Sequence, residues 1–183
     1  MNSTGKRKYI CFDRDGVVNM RIVSEYVITF DQFLFLPDFL ICFKKLMNAG
    51  YRSVLVTNQQ GIGKGIMTDK EFLDLSDKMQ EELKEKTGFN FDKVYYCPDL
   101  ADSGSMRRKP NPGMLTEAIE DFNIDKDVSW MVGDSVKDAT AGKRAGLNTA
   151  LVGEFAADDT SDTDHIFGNL LDLTEYFKKE KFI

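Results

Sequence analysis

Five short apolar runs of strand length alternate along this chain with amphipathic helical patterns, and that alternation leaves few folds open. The runs are Lys8–Phe12, Arg52–Thr57, Lys93–Cys97, Val128–Val132 and Thr149–Val152. Between the first pair, Phe39, Leu40, Phe43, Leu46 and Met47 mark one apolar helical face, closed by Gly50. Thr68-Asp69-Lys70-Glu71 is a capping box; Phe72, Leu75, Met79 and Leu83 follow on one side, and Gly88 is a stop. Asn111-Pro112 opens a third helix carrying Met114, Leu115, Ala118, Ile119 and Phe122. A fourth is expected from about Val136 to Ala145, ending at Gly146. A last amphipathic segment, Leu170–Lys179, carries Leu170, Leu173 and Phe177. Strands alternating with helices of this length give βαβ units and a parallel sheet. Right-handed crossovers place helices on both faces, a three-layer Rossmann-like α/β architecture.

At 183 residues, 42% hydrophobic, the chain can bury a sizeable core. No linker rich in Pro, Gly or Ser divides it and no repeat is seen, so one domain over 1–183 is expected. Three stretches lack clear periodicity. Met20–Phe35 reads as an excursion or short hairpin near the site. Pro98–Arg108 is a polar loop, and Ala156–Asp164 is acidic and expected to be solvated. None is long enough for an independent cap domain. No apolar run could span a membrane, and Met1 to Lys8 lacks the pattern of a secretory signal. Three widely spaced cysteines, Cys11, Cys42 and Cys97, point to free thiols in a reducing cytoplasm. A formal net charge of −6 argues against a general affinity for nucleic acid, which needs a basic stripe.

Chemistry is concentrated where the apolar runs stop. Tyr9-Ile10-Cys11-Phe12 is followed by Asp13-Arg14-Asp15-Gly16: two carboxylates spaced i, i+2 and a turn glycine. In open α/β sheets ligands bind at that edge. One carboxylate can serve as nucleophile, its neighbour as proton donor, and together they attract a hard cation such as Mg²⁺. Val54-Leu55-Val56 ends in Thr57-Asn58, whose hydroxyl and loop N–H groups suit phosphate oxygens. The following Gly61-Ile62-Gly63-Lys64-Gly65 has the wrong spacing for a dinucleotide loop and no Ser or Thr after Lys64 for a Walker loop. It is expected to be a flexible turn. Arg107-Arg108-Lys109 puts three cations beside a helix start, itself an anion-binding element. Met131-Val132-Gly133-Asp134 ends a further run, with Asp138 one helical turn on. Asp134 would complete a cation site with Asp13, and Asp138 could orient the metal's water or Lys109.

This order of motifs resembles the haloacid dehalogenase (HAD) superfamily of phosphohydrolases, over roughly residues 8 to 153. Phe12-Asp13-Arg14-Asp15-Gly16, Val56-Thr57-Asn58-Gln59, Tyr95-Tyr96-Cys97-Pro98 and Arg108-Lys109-Pro110-Asn111-Pro112-Gly113-Met114 look like the capless D-glycero-D-manno-heptose 1,7-bisphosphate phosphatases and their histidinol-phosphatase relatives. The resemblance implies that Asp13 forms an aspartyl phosphate while Asp15 works as general acid and base. Thr57, Asn58 and Lys109 would bind the phosphoryl group. Mg²⁺ would lie between Asp13, the backbone carbonyl of Asp15 and Asp134, with Asp138 behind them. Arg108, joined by Arg107 or Lys64, would meet the rest of the substrate.

One departure stands out. Those relatives usually carry a Cys-x-His … Cys-x-Cys zinc loop, whereas here Cys97, Asp99, Ser105 and Arg107 stand at the corresponding places. One thiolate and one carboxylate do not make a closed tetrahedral site, so no structural zinc is expected. His165, the single histidine, lies beyond the motifs and is not expected to be catalytic. The aromatic residues from Phe30 to Phe39 are expected in the core. The resulting reading is a Mg²⁺-dependent phosphatase of a small phosphorylated metabolite such as heptose bisphosphate, with histidinol phosphate as the alternative. A monomer is expected, with no membrane or nucleic-acid partner. A phosphate-binding or signalling module without turnover is the rival of another class. A general acid two residues after the nucleophile, Asp15, argues for hydrolysis. A polynucleotide end-phosphatase shares the motifs, but the net charge of −6 and the absence of a basic groove or aromatic ladder in this chain disfavour that reading.

Overall fold

The computed structural model describes residues 5–22, 26–156 and 162–183. In chain order the first half contains β1 (Tyr9–Phe12), α1 (Pro37–Asn48), β2 (Arg52–Asn58), α2 (Gln60–Gly63), α3 (Asp69–Thr87) and β3 (Val94–Cys97). The second half contains α4 (Gly113–Phe122), β4 (Trp130–Gly133), α5 (Val136–Ala145), β5 (Asn148–Val152), β6 (His165–Phe167) and α6 (Leu170–Lys179). The strands form one parallel sheet in the order β3-β2-β1-β4-β5-β6. No helix among the described residues is long and apolar enough to cross a membrane.

Period-two alternation explains the layers. In β1, Tyr9 and Cys11 enter one core with Val54 and Val56 of β2, against Met114 and Ala118 of α4 and Ala141 of α5. Ile10, Phe12 and Leu55 point the other way, against Phe39 and Phe43 of α1, Met79 of α3 and Phe177 of α6. All of these side chains are buried. Both faces are therefore covered, as a parallel sheet requires. The α3 signals hold: Thr68 and Glu71 exchange capping hydrogen bonds of 2.7 and 3.1 Å, and Gly88 ends α3 in the left-handed region. Pro112, expected to be the first residue of its helix, is instead the N-cap of α4, which begins at Gly113.

Several expectations change. Val128 lies in a 3₁₀ turn, Lys126–Val128, and β4 begins at Trp130, opposite Ile10. The Gly61–Gly65 stretch is not wholly a flexible turn: Gln60–Gly63 closes one helical turn, α2. Strand β6 was not expected. Its three residues are too short to show alternation, and tertiary contacts define it. The Asp164 carboxylate accepts the Thr149 N–H at 2.9 Å and pairs with Lys143. The end of the Ala156–Asp164 run thus anchors a strand while Asp164 itself stays exposed, as expected of that run. Residues 157–161 of that run lie outside the described residues, as do 23–25 of Met20–Phe35 and 1–4 of the N-terminus. The described part of Met20–Phe35 forms no strand hairpin. It doubles back through a 3₁₀ turn at Phe30–Gln32, with a single antiparallel bridge between Asn19 and Phe35. Phe33 and Phe39 are core residues, as expected.

Strand order creates the site. From β1 the chain moves outward to β2 and β3, then crosses to β4 on the other side of β1. The crevice between the carboxyl ends of β1 and β4 is a topological switch point, where open α/β sheets bind ligands. On the α5 side the helix lies close against the sheet. A Cβ at Gly142 would come within 2.6 Å of Thr149 Cγ2 and 2.8 Å of Met131 Cβ. These atoms belong to rigid strands and cannot give way. Gly142→Ala should therefore destabilise by about 1–3 kcal/mol, overriding the helix-propensity gain of about 1 kcal/mol. Urea unfolding checks this; an unchanged or raised midpoint would show that the helix can back away.

Candidate active site

Asp13 stands at the end of β1, and its N–H donates to Val132 O of β4 at 2.9 Å, tying the two strand ends together. Opposite it is Lys109, 3% exposed. The Lys109 ammonium contacts Asp13 Oδ1 at 2.8 Å, Asp138 Oδ1 at 2.6 Å and Val56 O at 2.7 Å. Three donors thus meet three acceptors. Burial works to lower the Lys109 pKa, but the two carboxylates outweigh it and hold it above the usual lysine range. Asp138 is the capping-box carboxylate of α5, taking the Ser135 N–H at 3.1 Å on its other oxygen. Burial pushes it up to about 6 against the opposing Lys109 charge. Asn58 brackets the Lys109 backbone: its Nδ2 donates to Lys109 O at 3.0 Å, and its Oδ1 accepts the Lys109 N–H at 3.1 Å. The Asn58 amide is therefore engaged in placing Lys109.

Asp15 sits in a cage that the motif alone did not reveal. Buried Arg14 donates to both of its oxygens from Nε and Nη2, with the nearer contacts at 2.9 and 3.0 Å. Asn19 Nδ2 adds a bond at 3.0 Å. Gln59 Nε2 adds one at 3.3 Å and also reaches Thr57 Oγ1 at 2.9 Å. Burial raises the Asp15 pKa, but Arg14 and these bonds win and hold it below the usual carboxylate value. Arg14 was visible as the middle residue of Asp-Arg-Asp, yet nothing in the sequence said that it would be buried. Asn19 and Gln59 gave no signal beyond their nearness to the motifs.

Asp134 follows β4 and completes an acidic cluster: ligand oxygens of Asp13, Asp134 and Asp138 all lie within 4.8 Å of one another. Gly16 permits this approach. It has φ +91°, and a Cβ there would stand 1.9 Å from Asp134 Oδ2. Burial and the Asp13 charge raise the Asp134 carboxyl to about 7. Three carboxylates facing one ammonium are under-neutralised. Hard oxygen donors of this kind suit a divalent cation such as Mg²⁺. The structure already brings a cation there: Arg21 Nη2 lies 2.9 Å from Asp134 Oδ1 and 3.2 Å from the Asp15 carbonyl oxygen. The donor set therefore fits the ion.

Two clefts meet at this point. The inner one, about 230 Å³, is lined by Asp13, Asp15, Thr57, Lys109 and Asp138. The outer one, about 380 Å³, is lined by Tyr26, Gln59, Gln60 and Arg108. Arg108 is placed by bonds to Asp99 O at 2.9 Å and Gln60 Oε1 at 3.3 Å. The two cations expected to join it are otherwise engaged. Arg107 turns away to Glu117, with contacts of 2.7 and 3.1 Å, and Lys64 donates to Tyr26 OH at 3.0 Å. His165 is remote, packed with Trp130, Phe167 and Tyr176.

A HAD-hydrolase-like family model matches residues 106–173, from the Lys109 loop into α6. The chain is 37% identical over 182 residues to the D-glycero-beta-D-manno-heptose-1,7-bisphosphate 7-phosphatase of Pasteurella multocida, covering 94% of this chain and 97% of that protein. The chain belongs to the HAD-type phosphatases. A relative from Burkholderia mallei, named for the alpha anomer, is 38% identical over 154 residues and covers 80% of each chain. Among solved structures, the D,D-heptose 1,7-bisphosphate phosphatase of B. bronchiseptica, complexed with magnesium and phosphate, superposes with a TM-score of 0.84 at 30% identity, covering 94% of this chain and 99% of that one.

In this phosphatase Lys109 is the hub of the buried charge. Lys109→Met would leave Asp13 and Asp138 facing each other without a counter-ion. Breaking a buried pair from one side typically costs about 3–5 kcal/mol. Denaturant unfolding of metal-free protein at pH 7.5, taken as roughly neutral, should show a loss of that order, with partial recovery in the Lys109→Met/Asp138→Asn double variant. A loss below about 1 kcal/mol would mean that water screens the carboxylates.

Proposed function

We propose that this phosphatase hydrolyses a phosphomonoester of a sugar bisphosphate, D-glycero-D-manno-heptose 1,7-bisphosphate, with Mg²⁺. The observation that carries the reading is the continuity of the two clefts. One is built around Asp13, Thr57 and Lys109; the other presents Arg108 and borders Arg21. Two guanidinium groups beside the reaction site favour a substrate with a second phosphate. They disfavour histidinol phosphate, whose remainder is cationic. The named activities of the relatives support the same choice. Those names include both anomers, so assay of the alpha and beta bisphosphates, with histidinol phosphate as the control, tests the substrate directly.

In this reading the 2.8 Å contact with Lys109 aims Asp13 as the nucleophile, and the ammonium remains beside the transferring phosphoryl oxygens. Thr57, held by Gln59, donates its hydroxyl to the phosphate, and Asn58 fixes the Lys109 backbone. Asp15 rests ionised in the Arg14 cage. That state suits removal of a proton from the water that opens the aspartyl phosphate. For the first step Asp15 must carry a proton, and an arriving phosphate anion raises its pKa toward that state. Asp13, Asp134 and the Asp15 carbonyl would hold Mg²⁺, which supplies neutralisation of the phosphoryl charge. The protein is proposed to act as a one-domain monomer, and its three unpaired, buried cysteines suit a reducing cytoplasm.

Asp13→Asn should abolish turnover with the fold intact; activity above about a tenth of wild type would exclude Asp13 as nucleophile. Asp15→Asn should cost alkyl substrates about 10²–10⁴-fold, and aryl phosphates, whose leaving group needs little protonation, much less. Equal losses with phosphorylation rate-limiting would remove Asp15 from the acid role.

Metal binding requires Asp134 ionised, and its carboxyl lies at about 7 in the metal-free protein. Below that pH the metal must displace a proton. Apparent Mg²⁺ affinity should therefore rise about tenfold per pH unit up to about 7 and then level off. Calorimetry at pH 6 in buffers of different ionisation enthalpy should show about one proton released per ion. The same shift makes this group's contribution to metal-free stability fall as pH rises from about 4 to 7, because the folded state holds the proton more tightly. A pH-independent affinity would contradict the assignment.

We further propose that hydrogen bonds replace zinc in the 98–108 loop. Cys97 Sγ donates to Asp99 Oδ2 at 3.3 Å and lies 3.7 Å from Ser105 Oγ, which accepts the Arg107 N–H at 3.3 Å. Asn111 Nδ2 donates to Ser105 O at 2.9 Å. Purified protein should contain no stoichiometric zinc by elemental analysis; one tightly held zinc per chain would refute this.

A further inference from the structure

Arg21 stands where the inner and outer clefts meet and lines both. Its Nη2 donates to Asp134 Oδ1 and to the Asp15 carbonyl oxygen. These oxygens belong to two of the three groups assigned above to Mg²⁺. A guanidinium and a divalent cation cannot share them, since the cations repel and compete for the same lone pairs. The Arg21 side chain is 51% exposed, and the residue lies outside any helix or strand. It can turn without unfolding anything.

We propose that Arg21 is a resident counter-cation that exchanges places with the divalent metal. In the metal-free protein it offsets the under-neutralised charge of Asp134. When the metal takes these oxygens, Arg21 is displaced into the outer cleft, beside Tyr26 and Arg108, and its charge faces the second anionic group of the substrate. Metal loading then also completes the substrate pocket, so binding of metal and of a bisphosphate is mutually favourable. The exchange itself needs no turnover; the destination of the side chain rests on the proposed bisphosphate reading.

Arg21→Gln tests both halves. Mn²⁺ is titrated into EDTA-stripped, desalted protein, followed by calorimetry and by electron paramagnetic resonance. Removing the competitor should tighten Mn²⁺ binding roughly three- to tenfold, within the range of a partly exposed charge-assisted pair. Arg21→Lys, which keeps the charge on a shorter head, should fall between; it also serves if the Gln variant fails to fold. Unchanged or weaker binding in the variants would overturn the exchange. The second measurement compares kcat/KM for heptose 1,7-bisphosphate with that for the 7-monophosphate in metal-saturated enzyme. Arg21→Gln should lose roughly tenfold on the bisphosphate, chiefly in KM, and change less than about twofold on the monophosphate. Equal losses on the two would overturn the movement into the outer cleft. If wild type hydrolyses neither, the bisphosphate reading fails, and the Mn²⁺ titration still decides the exchange.

Discussion

The buried ammonium of Lys109 is the interaction on which the site depends. Two carboxylates of the acidic cluster, Asp13 at the end of β1 and Asp138 in the first turn of α5, come from different elements, and without a cation between them their proximity would be repulsive. Lys109 joins β1, the loop before α4 and the first turn of α5, and its contact with Val56 O ties in β2. The elements that meet at the switch point are thus held there by charge as well as by the apolar layers behind them. Asn58 secures the lysine from the other side by gripping its backbone rather than its head.

The same arrangement separates the roles of the acids. Asp15 is enclosed by donors and held ionised. Asp134 lies among acids, with an exposed arginine for company, and is pushed toward neutrality. Environments that drive two carboxyls apart are a common mark of divided labour in active sites. The cage around Asp15 has a cost. Arg14 Nη1 has no hydrogen-bond partner among the described residues, an unmet donor worth about 1–3 kcal/mol, offset by the charge-assisted pairing of the other nitrogens.

Much of this was legible in the sequence. The five runs and their helices could be read because period-two and period-3.6 patterns are local, and capping boxes and stop glycines are local as well. The acids at Asp13, Asp15 and Asp134 could be read because each follows an apolar run that must be a buried strand. β6 could not, since three residues carry no period, and its pairing depends on the Asp164 contacts to Thr149 and Lys143. The fate of the cations was equally hidden. Within Arg107-Arg108-Lys109 the three neighbours go to Glu117, to the outer cleft and to the buried cluster.

What the sequence determined by itself was the set of chemical groups, the α/β alternation and the placement of each acid at a strand end, because these follow from nearest-neighbour patterns along the chain. What the tertiary structure decided was the partner of each charge. Arg21 reaching Asp134, and Lys109 between Asp13 and Asp138, depend on strand order, while the hold of Arg14 on its neighbour Asp15 depends on loop packing that buries the guanidinium. Pair energies fall steeply with distance, and residues more than a hundred positions apart become neighbours only when β4 docks beside β1.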